Sequence, residues 1–283
     1  MSIVVTGATG HLGHLVVESL LDRGVEPDRI LATGRRTEAL EDLAARGVRT
    51  ARLDFDDVDG SVLTAGDTLL LVSASVPGQR VRQHGNVLAA ATEAGVARVV
   101  YTSAPSADDT TLVLAPEHAA TEEMIRTSVL PFTILRNGWY TENYRQAYDQ
   151  AAATGVLTDS TGEGRVSSAT RADYAEATAA VLTQEGHEGA IFELSGDEAW
   201  NFEELAAAFG AALGRDVRRE ALHPQEHRTR LVGAGLDEDT AAFVVALDQN
   251  IAEGVLGVTT GDLARLAGRP TTPMRETVAS WAH

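Results

Sequence analysis

A glycine-rich turn near the start of the chain constrains the fold most strongly. A predicted strand over residues 3–6 leads directly into Gly7-Ala8-Thr9-Gly10-His11-Leu12-Gly13, and a helical pattern then begins. Gly7 permits a tight turn, Gly10 lets the backbone approach a pyrophosphate, and Gly13 permits close packing of helix on strand. The helix N-terminus would then face the anion. This context predicts a dinucleotide-binding loop; a plain turn between strand and helix is the alternative.

The first half of the chain alternates short apolar runs with helical patterns, which is typical of a parallel sheet covered on both faces. A spacing of about 25–30 residues between the runs fits successive strand–helix–strand units. We therefore predict an α/β fold built on a doubly wound, parallel Rossmann sheet. The predicted strands are 3–6, 30–33, 48–53, 68–73, 98–102 and 132–136, and the predicted helices are 12–22, 38–45, 80–94 and 116–128.

The alternation of apolar runs and helical patterns becomes less regular after residue 140, and no linker rich in Pro or Ser divides the chain. We predict a Rossmann domain over residues 1–153 and a smaller α+β lobe over residues 154–283, partly interleaved with the first. Strand 191–195 and helices 172–182, 202–213, 237–253 and 261–266 are expected in this second part. The lobe should cover the carboxyl edge of the sheet, where ligands of open α/β sheets bind.

The end of the second predicted strand indicates which dinucleotide would bind. An acidic side chain at that point would bind the ribose 2′-hydroxyl of NAD, but the chain reads Gly34-Arg35-Arg36 there. A guanidinium can instead take a 2′-phosphate with charge-assisted hydrogen bonds. Arg35 therefore favours NADP(H). The alternative is that both arginines solvate a turn or pair with Glu38.

Composition excludes several other chemistries. The 283 residues carry 23 basic and 41 acidic side chains, a net charge of −18, so nucleic acid is an unexpected partner. There is no cysteine, and all 23 basic residues are Arg, which excludes thiolate nucleophiles, Schiff bases and any Tyr/Lys proton relay. The paired His223 and His227 lack a third ligand, and we expect no metal site. No apolar stretch is long enough to span a membrane, and we expect a soluble, cytoplasmic protein.

Three polar clusters follow later predicted strands, at the edge where a ligand would lie. Asp54 and Phe55 could flank an adenine; the alternative is a helix N-cap from Asp54 or Asp56. Ser73-Ala74-Ser75 and Thr102-Ser103-Ala104 could contact ribose and nicotinamide, or their hydroxyls could merely end strands.

These features, together with Leu135-Arg136-Asn137-Gly138-Trp139-Tyr140-Thr141-Glu142-Asn143-Tyr144 and Arg171-Ala172-Asp173-Tyr174-Ala175, resemble the NmrA-like atypical short-chain dehydrogenases. Among these the chain is most similar to the bacterial NAD(P)H:quinone oxidoreductase 2 type, a relative of triphenylmethane reductase. The resemblance covers nearly the whole chain. It implies an NADPH-dependent reductase of quinones that is a monomer or a homodimer.

The resemblance also implies roles for particular residues. Gly7 to Leu12 would hold the pyrophosphate, Arg35 the 2′-phosphate, and Ser73 to Ser75 the ribose side. Asn137 to Glu142 would line the nicotinamide pocket, and Arg171 would reach back to the cofactor. The alternatives are lobe packing for Trp139 and Tyr140, and an ion pair at a helix start for Arg171.

The chain departs from ordinary short-chain dehydrogenases at their Tyr-x-x-x-Lys pair, because the comparable helix offers His118-Ala119-Ala120-Thr121-Glu122. Reduction of an ordinary carbonyl needs a general acid. A quinone needs less help, since its reduced oxygen is a delocalised phenolate. We therefore predict hydride transfer from NADPH to a quinone or a similar electron-poor acceptor, such as a cationic dye or an imine, with His118 or Tyr140 as candidate proton or hydrogen-bond donors. A non-catalytic NADP(H) sensor that binds a partner protein is the alternative function.

Overall fold

The computed structural model describes residues 2–282 as alternating strands and helices. The strands are β1 (Ile3–Val5), β2 (Ile30–Gly34), β3 (Arg49–Arg52), β4 (Thr68–Leu71), β5 (Arg98–Ser103), β6 (Phe132–Asn137), β7 (Val156–Asp159), β8 (Arg165–Val166), β9 (Ile191–Leu194), β10 (Trp200–Asn201) and β11 (Arg218–Ala221). The α-helices are α1 (His11–Asp22), α2 (Glu41–Ala45), α3 (Arg80–Ala94), α4 (Ala115–Thr127), α5 (Arg145–Thr154), α6 (Arg171–Thr183), α7 (Phe202–Leu213), α8 (Pro224–Gly233), α9 (Glu238–Ala252), α10 (Asp262–Ala267) and α11 (Met274–Ala279).

The central layer is a seven-stranded sheet in the order β3-β2-β1-β4-β5-β6-β9, and every neighbouring pair is parallel. The strand order reverses direction between β1 and β4, and such a switch point opens a crevice at the carboxyl ends of the strands. The predicted Rossmann sheet is confirmed. The sequence predicted six strands in it; the seventh, β9, comes from the second half of the chain and extends the sheet beside β6.

Helices cover both faces of this sheet with apolar side chains. On one face α1 packs against α6, and Val16 and Leu20 of α1 share a buried cluster with Tyr174 and Val181 of α6. On the other face α3 packs against α4 through a cluster that includes Val87 and Ile125. Because α6 and β9 follow residue 154, the chain returns from the lobe to the sheet layer.

Apart from α2 and α10, whose buried leucines join the cluster of α1 and α6, the remaining elements form the lobe around a third, aromatic cluster. Tyr144 packs edge-on against Trp200 and Phe202, with ring centroids 5.1 and 5.7 Å apart. Two small sheets accompany it, an antiparallel pair of β8 with β10 and a parallel pair of β7 with β11. Residues 2–282 contain no helix that is both long enough and apolar enough to cross a bilayer.

Candidate functional site

A cavity of about 530 Å³ opens at the carboxyl ends of β1 to β4. Fourteen of the residues proposed from the sequence lie on its wall, and they come from six separate segments of the chain. They are Gly7, Thr9, Gly10, His11, Leu12, Gly13, Arg35, Asp54, Phe55, Ser73, Ala74, Ser75, Tyr140 and Arg171.

The glycine turn forms one wall and directs the start of α1 into the cavity. Gly7 has a φ of +61°, a conformation that favours glycine. The backbone N–H groups of His11, Leu12 and Gly13 have no hydrogen-bond acceptor within residues 2–282. The first turn of α1 also carries no acidic side chain. Three free amides and the positive end of a helix dipole therefore face the cavity, which suits a pyrophosphate.

Arg35 and Arg36 lie on the wall directly after β2. Both side chains are exposed, and neither forms an ion pair or a side-chain hydrogen bond with any described residue. The alternative pairing with Glu38 is thus not formed. Two unpaired guanidinium groups at one end of the cavity are available for a phosphate.

Asp54 and Phe55 lie on the wall after β3, next to these arginines. The Asp54 carboxylate accepts hydrogen bonds from the Arg52 guanidinium and the Asp56 backbone N–H, each over 3.1 Å. It therefore stabilises a local turn. Neither Asp54 nor Asp56 caps a helix, because the N-cap of the short helix that follows is Asp59.

The segment Ser73 to Ser75 follows β4, and side chains that lie at or behind the cavity wall fix its backbone by hydrogen bonds. The Ser73 N–H donates to Thr102 Oγ1 over 2.9 Å, and the Ala74 N–H donates to His84 Nε2 over 2.9 Å. Arg80 Nε donates to the Ala74 carbonyl over 2.5 Å. Thr102 to Ala104 are not on the wall, so the predicted contact of that cluster with a ligand is replaced by a supporting role of Thr102.

Tyr140 and Arg171 close the opposite end of the cavity. The Arg171 guanidinium lies 4.6 Å from the centroid of the Tyr140 ring, which is a cation–π contact. Asn137 Nδ2 donates to the Tyr140 hydroxyl over 3.2 Å, and no described residue accepts the hydroxyl's own proton. Burial raises the pKa of Tyr140, so this hydroxyl stays protonated at neutral pH.

Six residues proposed to bind the cofactor do not line the cavity, and five of them belong to the segment Asn137 to Glu142. Glu142 Oε1 accepts from the Arg171 N–H over 2.9 Å, and its other oxygen lies 3.6 Å from the Arg171 guanidinium. Trp139 packs against the aromatic cluster of the lobe, as its alternative interpretation expected. The proposed residues that are absent from the wall are Ala8, Asn137, Gly138, Trp139, Thr141 and Glu142.

His118 does not reach the cavity wall either. It is buried in α4, and its Nδ1 lies 2.8 Å from the Tyr101 hydroxyl. Burial and the nearby positive charge of Arg80 lower the pKa of His118 to about 3. A neutral, buried imidazole cannot supply a proton readily at pH 7. This placement argues against the catalytic role that the sequence suggested.

Glu122, the last residue of the segment His118 to Glu122, is also held in structural contacts. Its two carboxylate oxygens accept from Arg136 Nε and Nη2 over 2.9 and 2.7 Å, and Ser103 Oγ donates to the same carboxylate over 2.6 Å. The side chain is fully buried. The helix face that carries Tyr and Lys in ordinary short-chain dehydrogenases is therefore structural here.

The wall includes residues that the sequence analysis did not propose: Gly34, Arg36, Leu53, Val72, Val76, Arg80 and Gln83. Arg80 and Gln83 lie one turn apart on α3, and both are almost completely buried. Their spacing of three residues places both on one face of the predicted helix 80–94, but the sequence does not show that this face is buried at the cavity.

The paired histidines of the lobe do not form a metal site. His227 Nδ1 lies 3.1 Å from both Ser160 Oγ and Asp248 Oδ2. Because both oxygens meet the same ring nitrogen, this trio cannot act as a proton relay of the Ser-His-Asp type. Within residues 2–282 no group of three or more His, Asp or Glu side chains could hold a metal ion.

Comparisons with known proteins agree with this geometry. The model of the NmrA-like family matches residues 1–262. Quinone oxidoreductase 2 of Escherichia coli (strain K12) is 40% identical over 279 residues, which cover 98% of this chain and 97% of the relative. A solved structure of the E. coli NADPH-dependent quinone oxidoreductase in complex with NADPH superposes with a TM-score of 0.94, at 40% identity and 98% and 99% coverage. Triphenylmethane reductase of Citrobacter sp., in complex with NADP(H), gives a TM-score of 0.93 at 34% identity and 99% coverage of both chains.

Two buried histidines near the cavity, His84 and His118, should make the stability of the fold depend on pH. The pKa of His84 is lowered to about 4 and that of His118 to about 3, against 6.5 for a free imidazole. As pH falls from 6.5 to 5, the unfolded chain takes up protons that the folded chain does not. The free energy of unfolding should therefore fall, by up to about 1.4 kcal/mol per pH unit for each histidine.

Urea titrations of the wild type and of His118→Phe between pH 5 and 7 test this expectation. The variant loses the contact with Tyr101 at every pH, which lowers its stability by a constant amount. Its stability should also fall less steeply toward pH 5. An identical slope in both proteins would show that His118 is not a neutral, buried imidazole.

Proposed function

Since the chain belongs to the NmrA-like family, we propose that it is an oxidoreductase that transfers hydride from NADPH to a quinone or a similar electron-poor, conjugated acceptor. One observation carries the proposal. A single cavity connects two unpaired arginines, the free amides of the glycine turn, and the Tyr140–Arg171 corner. These are the groups that a phosphorylated dinucleotide needs, in the order in which its parts occur.

The residues present fit NADPH. Arg35 and Arg36 would hold the 2′-phosphate, since they are the two cations on the wall that have no partner within residues 2–282. The amides of His11 to Gly13 would hold the pyrophosphate. Ser73 to Ser75 would lie on the ribose side, and Tyr140 and Arg171 at the nicotinamide end. Bound NADPH supplies a hydride from its nicotinamide ring.

The choice of acceptor follows from the acid chemistry that this site offers. The chain has no lysine, and both His118 and Glu122 are buried in structural contacts. Tyr140 is the one proposed proton donor on the wall. A quinone suits this site because its reduced oxygen needs only a hydrogen bond or water. The two relatives act, by their names, on quinones and on triphenylmethane dyes, both of which are conjugated acceptors.

We also propose a cellular location, an oligomeric state and a class of partner. We place the protein in the cytoplasm, where NADPH is supplied, as a monomer or homodimer with a small-molecule substrate. The absence of cysteine means that folding needs no oxidising compartment. A net charge of −18 opposes nucleic-acid binding. We retain the division into a Rossmann domain over residues 1–153 and an interleaved lobe beyond it.

Turnover is the direct test of the function. The purified protein is mixed with NADPH and a small benzoquinone, and the absorbance at 340 nm is followed. Wild-type protein should consume NADPH in proportion to enzyme concentration. The Gly10→Asp variant, which places a carboxylate beside the free amides, should be inactive. Binding of NADPH without consumption above that control would instead support the sensor alternative.

Arg35→Ala tests the choice between NADPH and NADH. Loss of a charge-assisted contact with the 2′-phosphate should weaken NADPH binding about tenfold or more, and NADH binding should barely change. Arg29→Ala is a matched control, because Arg29 is also exposed and unpaired within the described residues but lies at the other end of β2. Equal losses for both cofactors would contradict the role of Arg35. Titration calorimetry measures all of these constants.

Tyr140→Phe tests the hydrogen-bond donor. The variant keeps the ring under Arg171 and loses the hydroxyl, so the Kd of NADPH should stay within about twofold while kcat for the quinone falls about tenfold or more. His118→Gln should change kcat by less than about threefold. The opposite pattern, with kcat lost on changing His118 and kept on changing Tyr140, would overturn this assignment.

A further inference from the structure

His84 lies behind the cavity wall and takes no part in the function proposed above. It belongs to α3 and is completely buried. Its ring packs edge-on against Tyr101 and Phe55, with centroids 5.5 and 6.2 Å apart. Both ring nitrogens are hydrogen-bonded, Nε2 to the Ala74 N–H and Nδ1 to Thr121 Oγ1, each over 2.9 Å.

The protonation of this ring follows from its partners. A backbone N–H can only donate, so Nε2 must carry the lone pair that accepts the hydrogen bond from Ala74. The single proton of the neutral ring is then on Nδ1 and is donated to Thr121. Burial and the charge of Arg80 lower the pKa of His84 to about 4, so this neutral form persists at physiological pH.

The partner of Nε2 is part of the cavity wall. Ala74 lies between Ser73 and Ser75, and all three line the cavity. The Ala74 N–H is held by His84, and its carbonyl is held by Arg80 Nε over 2.5 Å. Both peptide groups that flank the Ala74 Cα are therefore fixed by side chains of α3. This segment has no regular secondary structure of its own to fix it.

We propose that His84 is a positioning residue, which fixes the backbone of Ser73 to Ser75 in the shape that the ribose side of NADPH requires. The inference rests on the proposed function, because NADPH is the ligand that would contact this segment. His84 acts through Ala74, since the imidazole itself does not line the cavity. Without an acceptor, the Ala74 N–H would have to find a new partner, and the segment would move.

Two variants separate the hydrogen bond from simple packing. His84→Leu fills much of the space and has no acceptor, whereas Gln in His84→Gln can place Oε1 near the position of Nε2. His227→Leu is the matched control, because His227 is a buried histidine of the lobe, away from the cavity. His84→Asn, whose amide reaches only to the position of Nδ1, replaces His84→Leu if that variant fails to fold.

The first readout uses the protein without cofactor. Hydrogen exchange of the Ala74 amide, measured by ¹⁵N NMR, should be at least about tenfold faster in His84→Leu than in the wild type, and close to the wild-type rate in His84→Gln. Unchanged exchange in His84→Leu would show that the hydrogen bond does not hold this segment, and the proposal would fall.

The second readout is the Kd of NADPH from fluorescence titration. We expect a rise of about tenfold in His84→Leu, recovery to within about threefold in His84→Gln, and a change below twofold in His227→Leu, even if the Tm of that control is equally reduced. An equal loss of affinity in His227→Leu would assign the effect to general destabilisation and overturn the positioning role. If wild-type protein binds no NADPH, the proposed function fails, and the exchange data alone then report on the hydrogen bond.

Discussion

The close approach of α1 to the glycine turn is the constraint on which the rest of the site depends. A Cβ at Gly13 would lie 2.5 Å from the Gly7 carbonyl oxygen and 2.9 Å from the Ala8 Cα, so only glycine allows this contact. The contact places the first turn of α1 at the switch point of the sheet, with its free amides in the cavity. The cavity can therefore attract a pyrophosphate without any lysine, which this chain lacks.

Charge determines what else the cavity can hold. The chain carries 41 acidic side chains, yet Arg35 and Arg36 remain without acidic partners within the part of the chain that the structure describes. By contrast, Arg136 is buried and bound to Glu122 and Glu193, and Arg171 is stacked on Tyr140 and paired with Glu142. Arg136 and Arg171 thus have structural partners, whereas Arg35 and Arg36 on the cavity wall remain available for a phosphate.

Local rules explain what could be predicted from the sequence. The glycine turn, the strands of the first half and the arginines after β2 follow from residue types at fixed spacing. The structure places the glycine turn and both arginines at one cavity. The seventh strand could not be assigned to the sheet, because its partner β6 is separated from it by the lobe. The surroundings of His118 could not be predicted either, because burial, which lowers its pKa, is invisible in a sequence. The roles of Arg80 and His84 come from their hydrogen bonds to Ala74, and Gln83 bonds to Asp56; helical periodicity alone does not give these long-range contacts.

The measurement that tests this account most directly is a crystal structure of the protein with NADPH. We expect density that begins with the 2′-phosphate on Arg35 and Arg36, passes the amides of His11 to Gly13, and ends with the nicotinamide ring beside Tyr140 and Arg171. A 2′-phosphate far from both arginines, or a nicotinamide ring outside the Tyr140–Arg171 corner, would contradict it.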